Sequence, residues 1–234
     1  PDLREHLPPS EKPSFYFKDL PGDLRTALWD RYKASLAPLR RAGKLGMVHF
    51  QFAPWIISNR DGQAHVRHCV EMMRDHTVSV EFRNKSWFDE AHVGRTLAFE
   101  RELNVVHTMI DGPQGFTDTI PSVWESTHLQ YALVRLHGRN HATWNIEGAK
   151  SAAERFNYDY PASELVEIAA KVERLAPETF TTHVIMNNNW EDQGERNAAT
   201  LIRVLADRYQ ARVPRLVLRA SEPVEQGSWV AEPA

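Results

Sequence analysis

The sequence predicts an α/β protein of the TIM-type, or (β/α)-barrel, class. Strand-like and helix-like segments alternate along the chain, the strands each have one apolar and one polar parity, and the nucleotide-binding signatures of open doubly wound sheets are missing. Alternation with helices of about 10–15 residues implies parallel strands joined by right-handed crossovers. A sheet covered by helices on both sides is apolar on both faces, so the polar parity favours a barrel, whose second face points to the axis. Neither G-x-G-x-x-G nor G-x-x-x-x-G-K-[ST] occurs. Five segments read as good strands, fewer than the eight of a closed barrel.

After an irregular lead-in over residues 1–20, PGDLRTALWDRYKASLAPLRRAG places Leu24, Leu28, Tyr32 and Leu36 at helical spacing. The apolar run 45–52 reads as a strand stopped by Pro54, and 62–76 as a helix with Val66, Cys69, Val70 and Met73 on one face. A strand over 78–83, a helix over roughly 89–103 and a strand over 104–111 follow. The Gly/Pro-containing stretch GPQGFTDTIPS predicts a loop before the strand 131–138. RNHATWNIEGAKSAAERFNYDYP predicts a second, irregular loop, and Pro161 sits where a helix start tolerates proline. A strand over 180–188 and a helix over 194–209 complete one domain, and the segment 210–234 reads as a partly disordered tail.

Composition narrows the function classes. With 28 basic against 31 acidic side chains and net charge −3, the chain has no global attraction for nucleic acid or anionic membrane. No apolar run approaches the roughly 20 residues of a membrane span, and PDLREHLPPSEKP lacks a signal-peptide core. The single cysteine, Cys69, excludes an internal disulfide. A cytoplasmic location is the expectation.

Alternation along each strand sorts its side chains onto two faces. Glu81 and Arg83 share one parity, Arg135 and His137 another, His107, Met109 and Asp111 a third, and His49 and Gln51 a fourth. On this reading the charges gather at the C-terminal ends of strands, where barrel active sites are built. Glu81 with Arg135, and Asp111 with Arg83 or Arg139, would alternatively be plain ion pairs closing the barrel. Burying several charges seldom improves stability over apolar packing, which favours function for the group as a whole. His49, His107 and His183 read as hydrogen-bonded interior or rim histidines. Trp87 and Trp190 read equally as packing or as flat platforms for a ring.

Several motifs together carry a likeness. LGMVHFQFAP, VEFRNKSW, the Asp111 loop, YALVRLHGRN with a later YDY, and HVIMNNNW followed by GERNAATL occur in this order between about Leu24 and Tyr209. The chain resembles the YecE-like family, domain of unknown function 72. The resemblance implies a TIM-type barrel and brings no established reaction. Family members begin with a Gly-Thr-Ser-Gly-Trp-like strand and two further strands, so the chain looks like the last five units of an eight-unit barrel. An upstream barrel segment, or self-association, is then expected to cover the open edge.

For chemistry, Glu81, Asp111 and His137 are the expected catalytic groups. Gln51, Arg83, Trp87, Arg135, Arg139, Tyr158, Asn187 and Asn188 are the expected substrate-binding groups. Arginine's planar fork suits a phosphate or carboxylate. Guanidinium neighbours should hold Glu81 ionised as a base, nucleophile or electrostatic stabiliser, leaving His137 as proton donor. The predicted reaction is hydrolysis or isomerisation of a small anionic or polyhydroxylated molecule, with no cofactor. One alternative is a divalent metal on Glu81, Asp111 and His107 or His137. Another is a non-catalytic module binding a phosphorylated metabolite or, less well, nucleic acid through RLHGRNHATW and RFNYDY.

Overall fold

The computed structural model of the chain describes residues 16–116, 119–142, 154 and 156–210. Its centre is a five-stranded, all-parallel sheet in sequential order: β1 (Val48–Phe52), β2 (Val78–Phe82), β3 (Val106–Asp111), β4 (Tyr131–Leu136) and β5 (Thr181–Met186). The helices are α1 (Gly22–Arg41), α2 (Arg60–Met72), α3 (Val93–Glu102), α4 (Ala162–Leu175) and α5 (Gln193–Gln210). The five strands and five helices expected from the alternation are all present. The expected tail, most of the lead-in, and residues 143–153 of the second loop lie outside the described residues.

Local chemistry explains the element ends. Asn59 caps α2 by accepting the Gly62 N–H at 2.8 Å. A Cβ on Gly62 would stand 2.0 Å from the Ile57 carbonyl oxygen, so the tight entry into α2 requires glycine there. Pro161 occupies the N-cap of α4 in extended conformation. Leu165, Ile168, Ala169, Val172 and Leu175 then recur at helical spacing as the buried stripe of that helix.

Two apolar clusters glue the helices to one face of the sheet. Val48, Phe52, Val78, Val80 and Phe82 pack with Val66 and Cys69 of α2, Met73 at its C-cap and Phe99 of α3. Met109, Ala132, Val134 and Leu136 pack with the α4 stripe and Leu201 of α5. Trp29 and Tyr32 of α1 meet Phe50 edge-on or tilted, with ring centroids 6.1 and 6.3 Å apart. Between β3 and β4 the described residues form neither helix nor strand. Residues 122–127 pack back instead: Ser122 donates to the Ile110 carbonyl at 2.7 Å and Thr127 to the Val105 carbonyl at 2.8 Å.

The register corrects one expectation. Thr108 aligns with Leu133 and Ile110 with Arg135, while Met109 aligns with Val134 and Asp111 with Leu136. In β3 the face shared with Arg135 is therefore Val106–Thr108–Ile110. His107, Met109 and Asp111 turn toward the helices, the reverse of the parity assigned from hydropathy.

Candidate functional site

On the face opposite the helices, side chains from β1, β2, β4 and the end of β5 converge on Glu81, which is fully buried. Arg83 Nη1 donates to its Oε1 at 3.0 Å, and Arg135 Nη1 donates to its Oε2. Arg135 also gives Nη1 to Gln51 Oε1 at 3.1 Å and Nη2 to Asn187 Oδ1 at 2.7 Å. His49 Nε2 lies 3.5 Å and His137 Nε2 3.6 Å from the two carboxylate oxygens. Of the expected site residues, Gln51, Glu81, Arg83, Arg135, His137 and Asn187 are thus brought together. His49 is held by Ser79 Oγ, 3.0 Å from its Nδ1.

The hydrogen-bond inventory fixes the protons. Arg135 can only donate, so the Asn187 atom it meets is the amide oxygen, and the Asn187 nitrogen faces His137 Nδ1 at 3.0 Å. Nδ1 must therefore accept, which leaves the proton on Nε2, facing Glu81 Oε1 at 3.6 Å without a hydrogen bond. Burial lowers the His137 pKa, and the charges of Arg83 and Arg135 lower it further against the pull of Glu81. Burial alone would raise Glu81, but the neighbouring rings of His137 and His49 and the charge of Arg135 hold it far below the usual carboxylate range. With one carboxylate against two guanidinium groups, the cluster carries surplus positive charge.

The other half of the expected site is assembled elsewhere. Asp111 lies on the helix side, gripped by Arg139 through Nε at 2.9 Å and Nη2 at 2.7 Å, and by the Tyr160 hydroxyl at 2.8 Å. Arg139 continues to Glu167 at 3.2 Å, and Tyr158 donates to Glu164 at 2.9 Å. Hydrogen bonding to Asp111 raises the Arg139 pKa, while burial and the Glu164 hydrogen bond push Tyr158 up to about 12. Asp111, Arg139 and Tyr158 therefore do not share the Glu81 site.

Trp87 and Asn188 also depart from expectation. Trp87 is fully buried, stacked on Phe82 at 3.9 Å, with Nε1 donating to the Ile56 carbonyl at 2.8 Å. The short 3-10 turn Lys85–Trp87 folds it back into the core, leaving no open ring face. Asn188 is buried too, donating to the Tyr158 carbonyl at 2.8 Å and Asn197 Oδ1 at 2.7 Å.

The expected metal set of Glu81, Asp111 and His107 or His137 is divided between the two faces. Among the described residues no group of three or more His, Cys, Asp or Glu side chains converges as metal ligands. His107 instead meets Glu100 at 3.1 Å in a buried pair. Burial opposes its charge, but the Glu100 carboxylate raises its pKa overall.

The family model described as "Protein of unknown function DUF72" matches residues 17–223 of the chain. The chain belongs to the DUF72 family. It is 32% identical over 199 residues to the UPF0759 protein YunF of Bacillus subtilis, covering 84% of this chain and 71% of that one. A DUF72 family protein of Enterococcus faecalis superposes with a TM-score of 0.73 at 27% identity, over 77% of this chain and 66% of the other. One from Thermotoga maritima gives 0.68 at 26% identity, over 76% and 64%. The chain thus spans just under two thirds of these two DUF72 chains.

Within this DUF72 chain, a cleft of about 630 Å³ lies near the N-terminal ends of β2 and β3. Its charges are matched in pairs, Arg67 with Glu102 at 2.8 Å and Arg74 with Glu71 at 3.3 Å. The Glu81 cluster, with its unmatched charge, is the stronger candidate on chemical grounds. Sequence reasoning missed Ser79, Tyr160 and Asn197. Ser79 shares the parity of Glu81. Asn197 is the one polar member of the spacing Asn197–Leu201–Val204–Leu205, a signal that was available.

Proposed function

We propose that the five strands form a sector of a TIM-type barrel, corresponding to the C-terminal portion of the YecE-like fold. In that reading the Glu81 cluster binds a small anionic or polyhydroxylated molecule and carries out acid–base chemistry on it. The supporting observation is the reach of Arg135. Three strand spacings separate β4 from β1, about 14 Å on a flat sheet, yet Arg135 donates to Gln51 at 3.1 Å. A sheet curled around its polar face accounts for that contact. Among the described residues the strand order leaves β1 and β5 at the edges, available to an upstream barrel segment or a second copy.

In this mechanism Arg83 and Arg135 grip the anionic group bidentately, with Gln51 and Asn187 contributing polar contacts. His137 works as a neutral donor through Nε2–H rather than as a general acid, because its lowered pKa leaves little imidazolium. A neutral imidazole donor beside a carboxylate suits proton transfer next to a carbonyl, which favours isomerisation over hydrolysis. Two guanidinium groups make Glu81 a weak base in the empty site. An anion that draws Arg83 away raises the basicity of Glu81, so ligand binding and activation are coupled. A cytoplasmic location belongs to the same reading, on the strength of the lone, buried Cys69.

Calorimetric titration with inorganic phosphate and with glycerol phosphate at low ionic strength tests the reading. Saturable binding is expected, weakened at least about tenfold, or about 1.4 kcal/mol, by Arg83→Met. Absence of saturable binding, or binding indifferent to Arg83→Met, contradicts it. Binding without turnover of any small hydroxylated anion would recast the site as a module for a phosphorylated metabolite.

A further inference from the structure

The ring of His137 is held from two directions by groups that never touch Glu81. From one side Asn187 donates to Nδ1 at 3.0 Å. From the other, the backbone carrying the ring is fixed: His137 N–H donates to the Asp111 carbonyl at 2.8 Å, and Gly138 N–H to the Tyr160 hydroxyl at 2.8 Å. That hydroxyl in turn donates to the Asp111 carboxylate at 2.8 Å. Gly138 takes φ +86°, and a Cβ there would lie 2.5 Å from Tyr158 Cβ, so the turn has little freedom of its own.

Both arms meet at Asn197 of α5. Its Oδ1 accepts from Tyr160 N–H at 3.0 Å and its Nδ2 donates to the Tyr160 carbonyl at 3.1 Å, clasping that residue's backbone at both polar groups. The same Oδ1 accepts from Asn188 Nδ2 at 2.7 Å, fixing the strand end that carries Asn187. Asn197 is 4% exposed and Tyr160 3% exposed. Tyr160 packs its ring in the apolar cluster under α4, and the polar atoms of both residues go to neighbouring backbone and side chains, Asn197 Nδ2 also donating to Asp159 Oδ1 at 2.8 Å.

We propose that Asn197, Tyr160 and Asp111 are positioning residues that hold the His137 imidazole in its Nε2–H tautomer, facing Glu81. The proposal rests on the reading of the Glu81 cluster as the site, but its test uses the ligand-free protein. A site that binds nothing would leave the test intact. Loss of the Tyr160 hydroxyl removes the acceptor for Gly138 N–H and a donor to Asp111, loosening the turn that aims the ring.

The experiment is ¹⁵N and ¹³C NMR of the histidine rings in this chain, comparing wild type, Tyr160→Phe, Asn197→Ser and, as control, Tyr158→Phe. Among the described residues the Tyr158 hydroxyl bonds only Glu164, so its removal should leave His137 unchanged. Tyr160→Phe and Asn197→Ser should turn a single His137 tautomer into a mixture of two and shift its titration. His107, held by Glu100, should stay as it is and report an intact fold. A His137 signal unmoved by both variants overturns the proposal, as does equal movement in Tyr158→Phe. If one variant fails to fold, the other decides. Failure of both to fold assigns the network to stability alone and overturns the proposal.

Discussion

Two carboxylate–arginine clusters sit near the C-terminal ends of these strands, on opposite faces of the sheet, and they have almost the same ingredients. Around Asp111, the carboxylate meets both edges of one guanidinium and a tyrosine hydroxyl, and Arg139 continues to Glu167 and Glu164. Negative charge there matches or exceeds positive charge, and the groups close on one another. Around Glu81, two arginines share one carboxylate, and Arg83 shows a single partner among the described residues. The first arrangement is complete by itself, and the second has donors left over. Partner arithmetic, more than residue type, separates a structural ion network from a candidate binding site.

Substitutions can break or sharpen this contrast. The largest effect is expected from Asp111→Ala, which takes the acceptor from the buried Tyr160 hydroxyl and leaves Arg139 only Glu164 and Glu167. Breaking a buried pair from one side costs about 3–5 kcal/mol. Urea unfolding should register that loss as a lower midpoint with an unchanged slope. A loss below about 1 kcal/mol would show that the Asp111 network is not structural. Arg83→Met should cost less, about 1.5–3 kcal/mol, because Glu81 keeps Arg135, while weakening phosphate binding at least about tenfold. Smaller still, Tyr158→Phe removes one partly exposed hydrogen bond and should cost about 0.5–1.5 kcal/mol.

The two buried histidines provide a pH version of the same contrast. The pKa of His107 is raised above 6.5. Its contribution to stability is complete below that pH and fades as pH rises through its folded value. The pKa of His137 is lowered from 6.5. As pH falls below that value the unfolded chain takes up this proton first, and the folded state loses stability. Ring NMR should therefore find His107 titrating above 6.5 and His137 below it. Titration of both on the same side would refute the assignment of their environments.

The order of elements was legible because each helix needs an apolar stripe to bury and each strand needs a partner. The convergence of Glu81, Arg83, Arg135 and His137 was legible because period-two alternation forces it in β2 and β4. Asp111 was misplaced for a definite reason. β3 is buried along both faces, so hydropathy alternation carries no orientation there. Glu100 and Arg139 also make it possible to keep His107 and Asp111 under helices. Trp87 was ambiguous for another reason: its position depends on a three-residue turn, which strand and helix periodicities do not encode. Asn197 escaped notice because its partners, at Tyr160 and Asn188, are distant in sequence.

Diffraction from crystals of this protein soaked in selenate, read by anomalous scattering, tests the central claim most directly. The account predicts a bound anion within hydrogen-bond reach of Arg83 and Arg135 on the Glu81 face, and none beside Arg139. Selenate held at Arg139 or confined to the outer surface, with the Glu81 face empty, would contradict it.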